Sequence, residues 1–121
     1  MAVVLLSFLS CTGTDESAEQ SVSTYEQLKA FLENEDVLLL DVRTYSEYLS
    51  GTIPGAVNRP FDTLETTPPE WDKDKPIVVF CRSGSRSAVA DRFLRQHGFE
   101  QVYDFGGINR WQGELEMPES Q

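Results

Sequence analysis

The sequence predicts an α/β domain built from parallel βα units, on three observations. Two short apolar runs, Val37 to Leu40 and Ile77 to Phe80, read as strands buried on both faces. Each is followed by a polar loop and then by a segment of helical spacing, the pattern that places strands side by side with helices crossing over them. The composition, 40% hydrophobic and 25% charged over 121 residues, is that of one globular domain able to enclose a core.

Residues 1–10, Met-Ala-Val-Val-Leu-Leu-Ser-Phe-Leu-Ser, carry no charge and lead straight to Cys11. The run is too short to span a bilayer and fits the apolar core of an export signal. Leu9-Ser10-Cys11 resembles the end of a bacterial lipoprotein signal, in which the cysteine is lipidated, although no Lys or Arg precedes the apolar run. The expectation is a periplasmic or cell-envelope protein tethered to the membrane through Cys11, with an N-terminal strand of a cytoplasmic domain as the alternative. Residues 11–21 are rich in Ser, Thr and Glu with no apolar period, and read as a flexible tether.

The domain is expected over residues 22–118. Ser23 to Glu26 has capping-box spacing and precedes Leu28, Phe31 and Leu32 on one helical face. After the first strand, Thr44 to Glu47 repeats that spacing and starts a short helix in which Glu47 reads as the capping acid. Ile53-Pro54-Gly55 is a turn, Ala56 to Asn58 a brief strand, Phe61 to Leu64 a helical turn, and Thr66-Thr67-Pro68-Pro69 a break. Trp71 reads as packing. The helix that opens near Arg86 carries Val89, Phe93 and Leu94 on one face and stops at Gly98. His97 falls in its last turn, where the helix dipole favours a cation. Phe99 to Tyr103 is read as the last strand and Trp111 as core; Glu114, Glu116 and Glu119 make an acidic, frayed end, with residues 119–121 as its tail.

Charge narrows the function. The net charge of −10, with no basic run, disfavours nucleic acid and anionic membrane surfaces as partners. The charge is uneven: four arginines and one acid lie between Cys81 and Arg95, against seven acids and one lysine between residues 11 and 36. An anionic substrate is drawn to the first region and repelled elsewhere. One histidine and two cysteines without a cluster give no basis for a structural metal site, a CxxC redox pair or a disulfide framework. No heptad or apolar stripe speaks to oligomeric state.

The chemistry concentrates in Cys81-Arg82-Ser83-Gly84-Ser85-Arg86-Ser87, a polar loop between the second strand and the helix after it. In open α/β sheets the carboxyl ends of strands line the ligand crevice. Gly84 lets the backbone curl, so that successive amide N–H groups can converge on an anion, and the helix N-terminus with Arg82 and Arg86 adds positive potential. A thiol held there has its ionised form favoured, and the thiolate is the nucleophile. A buried cysteine serving as apolar filler needs neither arginines nor serines beside it. Asp41 and Arg43, at the carboxyl end of the neighbouring strand, are read first as a structural ion pair bracing this region.

Three blocks carry a family resemblance. Cys81 to Ser87 after Val78-Val79-Phe80 resembles the active-site loop of the rhodanese family, the single-domain sulfurtransferases. Asp41-Val42-Arg43-Thr44-Tyr45-Ser46-Glu47-Tyr48 with Gly51-Thr52-Ile53-Pro54-Gly55-Ala56-Val57-Asn58 resembles the family's amino-terminal signature, and Gly106-Gly107-Ile108-Asn109-Arg110-Trp111 its carboxyl-terminal one. Thr52 stands where histidine is common, which leaves that side chain without an expected role. Cysteine phosphatases and arsenate reductases have a similar cradle but place arginine after five intervening residues, where this chain has Ser87; Arg86 follows four.

The resemblance implies a three-layer α/β domain with a central, mainly parallel five-stranded sheet and helices on both faces. It implies ping-pong sulfur transfer through a persulfide on Cys81. Arg82 and Arg86 would hold a small anionic sulfur donor such as thiosulfate, and the loop amides of residues 82–86, including Ser83, Gly84 and Ser85, would stabilise the persulfide. A thiol or cyanide then accepts the sulfur. No metal and no dissociable cofactor is implied. A persulfide carrier or sulfide-sensing module is the main alternative, phosphatase or arsenate-reductase chemistry the lesser one.

Overall fold

The computed structural model describes residues 21–120; the expected export signal, Cys11 and all but the last residue of the expected tether lie outside them. The chain runs α1 (Tyr25–Phe31), β1 (Leu38–Asp41), α2 (Tyr45–Leu49), β2 (Val57–Asn58), α3 (Phe61–Thr66), β3 (Ile77–Cys81), α4 (Ser85–Gln96), β4 (Val102–Gly107) and a 3-10 turn, Ile108–Arg110.

The strands form one parallel sheet in the order β2-β1-β3-β4, with Leu38 opposite Ile77 and Leu40 opposite both Val79 and Val57. Four strands are thus found among the described residues, where the resemblance implied five. The next nearest pairing is a single antiparallel rung between Thr52 and Glu116, closed by amide-to-carbonyl bonds of 2.9 and 2.8 Å, so Glu116, expected in the frayed end, is instead pinned to the loop before β2.

Period-two alternation sorts the strand residues into two layers. Ile77, Val79 and Cys81 join Leu40, Val42, Leu64, Ala90 and Leu94 beneath α3 and α4. Leu39, Val78 and Phe80 face the other way, onto Leu28, Ile53 and Phe105 beneath α1. All five residues of β3 are buried, which is why this strand reads as a continuous apolar run rather than an alternating one. Trp71 packs against the first layer with its ring edge-on to Phe99, and Trp111 lies half-buried at the margin of the second, edge-on to Tyr25.

Several boundaries move by a residue or more. The first capping box is formed by Thr24 and Gln27 instead of Ser23 and Glu26: the Gln27 amide donates to the Thr24 hydroxyl, and the Thr24 amide to the Gln27 side chain. The second is as read, with Thr44 and Glu47 reciprocally bonded. The last strand starts at Val102, because Phe99 leaves the ladder to fill the core beside Leu94. It continues through Gly106 and Gly107, with an extra residue between the Val79–Asp104 and Phe80–Gly106 pairs. This bulge, with Gly106 at φ +93°, re-aims the strand so that Gly107 lies opposite Cys81.

Candidate active site

The order of the strands fixes where a site can form. From β1 the chain crosses to β2 on one side, whereas β3 leads to β4 on the other, so the sheet reverses its winding between β1 and β3. A crevice opens at the carboxyl ends of such a pair. Two segments end there: Asp41-Val42-Arg43 after β1, and Cys81 to Gly84 after β3.

Cys81 is fully shielded, its Sγ beneath the N-terminus of α4. The Gly84 amide donates to Sγ at 3.0 Å and the Ser87 amide at 3.3 Å. Gly84 achieves this with φ +109°, a conformation that L side chains rarely adopt. Burial pushes the thiol pKa up, but the Ser87 hydroxyl and the amides of Ser87, Gly84 and Ser83 outweigh it, and the net pKa falls below the ordinary thiol value. The ionised sulfur is therefore held by dipoles that cost no reorganisation when charge develops on it.

The resemblance implied a cradle of residues 82–86; the amides within hydrogen-bond distance of Sγ are those of Gly84, inside that span, and Ser87, one residue beyond it. Ser87 is completely buried, bonds the Gly84 carbonyl through Oγ at 3.1 Å, and presents its amide to sulfur. Its place one turn into α4 was the available signal, since a buried serine there needs a polar partner. Arg82, Ser83 and Ser85 are exposed.

Arg86 does not stand open toward a ligand. Its two η nitrogens donate to the Glu47 carboxylate at 2.8 and 3.1 Å, across the crevice from α2. Glu47 thus closes the cap of α2 and clamps the Cys81 loop at once. The Arg86 guanidinium holds the Glu47 carboxyl down to about 2, and Glu47 in turn raises Arg86. Thirty-nine residues separate the pair, so no local spacing announces it.

Asp41 and Arg43 form the expected ion pair. Arg43 donates through Nε and Nη2 to the two carboxylate oxygens at 2.9 and 2.7 Å, and through Nη2 to the Gly51 carbonyl. Both residues are buried. Thr52, for which no role was expected, donates from Oγ1 to Asp41 at 2.8 Å and completes a latch that fixes the loop after β1. Val42 ties that loop to the site by donating to the Phe80 carbonyl.

The glycine pair of β4 sets the other wall. A Cβ on Gly107 would lie 2.7 Å from the Arg82 carbonyl and 3.3 Å from Ser83 Cα, so only glycine lets this strand pass beneath the loop. His97 caps the far end of α4, with Nδ1 3.0 Å from the Phe93 carbonyl, and takes no part in the site. Among the described residues no cluster of His, Cys, Asp and Glu suits a metal ion.

Comparison with known proteins bears on the family and the fold. Residues 24–114 match the rhodanese-like domain family. A sulfurtransferase of Allochromatium vinosum is 41% identical over 80 residues, covering 65% of this chain and 75% of that protein. A rhodanese-related protein of Thermoplasma volcanium superposes with a TM-score of 0.70 at 29% identity, over 82% of this chain and 99% of its own. The human single-domain sulfurtransferase TSTD1 superposes at 0.64 with 26% identity, over 73% and 89% of the two chains. Further curated relatives are longer, and this chain spans 30% and 26% of two of them.

Proposed function

Since the chain belongs to the rhodanese-like domain family, we propose that it is a single-domain sulfurtransferase that carries sulfane sulfur as a persulfide on Cys81. The general role in sulfur transfer rests on its sulfurtransferase relatives. The observation that carries the residue-level reading is the convergence of the Gly84 and Ser87 amides on Sγ.

In the first half-reaction the Cys81 thiolate attacks the outer sulfur of thiosulfate. The new S–S bond forms as the bond between the two thiosulfate sulfurs breaks, and sulfite leaves with that electron pair. The product, Cys81–S–S⁻, places its charge on the terminal sulfur, within reach of the loop amides. In the second, an acceptor thiolate or cyanide attacks that sulfur and Cys81 departs as the thiolate it was. The amides that favour the thiolate at rest also make it a good leaving group. Because Cys81 is shielded, the loop must part slightly for the incoming sulfur, which favours small donors.

Thiosulfate is expected to add one sulfur atom to Cys81 by intact mass, and Cys81→Ser to remain unmodified; loading of the serine variant would place the sulfur elsewhere. The shielding of Cys81 also suits a persulfide carrier or sulfide sensor, which would load fully yet turn over slowly with thiols. Phosphoryl or arsenate chemistry is disfavoured by the four-residue spacing to Arg86 and by its engagement with Glu47. Residues 1–11 support export and anchoring through Cys11; recovery of the native protein in the soluble cytosolic fraction would overturn that part.

A further inference from the structure

The Cys81 loop carries two arginines, and they differ in what they can offer an anion. Arg82 is exposed and has no hydrogen bond or ion pair among the described residues. Arg86 is the second residue of α4, its charged form favoured by Glu47 first and by Cys81 to a lesser degree, and a carboxylate already occupies both its η nitrogens. At neutral pH that carboxylate is fully ionised. The positive potential a second arginine would supply is cancelled within the protein.

We propose that Glu47 is a specificity-determining residue of the sulfur-donor site: by neutralising Arg86 it biases the loop toward singly charged sulfane donors and against the thiosulfate dianion. The proposal rests on the sulfurtransferase reading and names the class of donor that reading leaves open. Coulomb energy is linear in ligand charge, so restoring one positive charge lowers the energy of a dianion twice as much as that of a monoanion at the same place. A gain of n-fold in affinity for the monoanion is then a gain of n² for the dianion.

Methanethiosulfonate and thiosulfate form a matched pair of probes. With the first, Cys81–S⁻ takes the terminal sulfur and methanesulfinate leaves with the electron pair; with the second, sulfite leaves. The same bonds form and break, and the two reagents differ by one charge. Glu47→Gln removes the carboxylate charge and keeps the cap, because the same chain caps α1 with Gln27 at the equivalent position.

The experiment measures KM and kcat for persulfide formation with each reagent, in the full chain. Glu47→Gln is expected to lower KM about threefold for methanethiosulfonate and about tenfold for thiosulfate, and any change in kcat from the loosened clamp is expected to be the same for both reagents. The double variant Glu47→Gln with Arg86→Gln returns the local charge to its original sum and is expected to return the ratio of the two KM values to that of the wild type. An unchanged ratio in Glu47→Gln, or a double variant that keeps the ratio of the single one, overturns the role of Glu47 while leaving sulfur transfer intact. Failure of either reagent to load wild-type Cys81 overturns the underlying reading together with this one.

Discussion

Gly107→Ala tests whether β4 and the sulfur-holding loop are mechanically coupled. The new Cβ would lie 2.7 Å from the backbone oxygen of Arg82, against an ordinary contact that begins at 3.4 Å. Its contact with the Asn109 side chain, at 2.6 Å, can be relieved by rotation, but the Arg82 carbonyl cannot rotate away. About 0.7 Å of separation must be found, the difference between those limits. If the loop moves by that amount away from the sheet, the 3.0 Å bond from Gly84 to Sγ stretches toward about 3.7 Å, near the outer range for a bond to sulfur, and weakens. A hydrogen bond to a charged group contributes roughly 1.5–3 kcal/mol, so weakening this one should raise the thiol pKa and slow alkylation at neutral pH by up to about tenfold. Overpacking adds about 1–3 kcal/mol of destabilisation. The assay follows thiolate absorbance and alkylation rate against pH, with a thermal melt alongside. A variant that melts earlier yet keeps the wild-type thiolate profile would show that the strand yields rather than the loop, and would refute the coupling.

Three further outcomes follow from the same geometry. Ser87→Ala keeps the amide at Sγ but removes the hydroxyl that favours the thiolate; alkylation at neutral pH should slow roughly tenfold with the fold intact, and an unchanged rate would remove the hydroxyl from the cradle. Asp41→Ala leaves Arg43 buried without its carboxylate and should destabilise the domain by about 3–5 kcal/mol, read by urea unfolding, whereas a loss below 1 kcal/mol would mean water reaches Arg43. The folded-state pKa of Glu47, about 2, lies below its ordinary value of 4.5, so its contribution is complete above that value and is lost as pH falls toward 2. Glu47→Gln should therefore flatten the fall in melting temperature across that window, and a parallel pair of curves would contradict the assigned ion pair.

The elements legible in the sequence are those whose causes are local. The buried run Ile77 to Phe80, the cap at Thr44 and the stop at Gly98 each announce themselves within a few residues. The first cap was displaced by one residue because Ser23-Thr24-Tyr25-Glu26-Gln27 offers two overlapping boxes, and packing of Leu28 selects the second. The strand expected from Phe99 begins at Val102 for a related reason: Phe99 has the right propensity, but the core below α4 claims it first. What spacing could not show is partnership over distance. Glu47 reads as a capping acid and is one, yet its second oxygen belongs to Arg86 on a different helix. Thr52 looks inert beside a family preference for histidine until the Asp41 carboxylate is seen facing it. Cys81 and Gly84 are visible because loop, strand and helix are contiguous there; Ser87 stands in the same motif but just beyond the span 82–86 that the resemblance assigns to the cradle.

The rung between Thr52 and Glu116 bears on where this unit can be cut. The family match ends at residue 114, two positions short of the backbone that meets Thr52. Glu116 also reaches back with its side chain to the Gly55 amide at 3.1 Å. Excision at the similarity boundary would strip three hydrogen bonds from the very turn whose Thr52 steadies Asp41, so fusion or truncation designs should retain the chain at least through Met117.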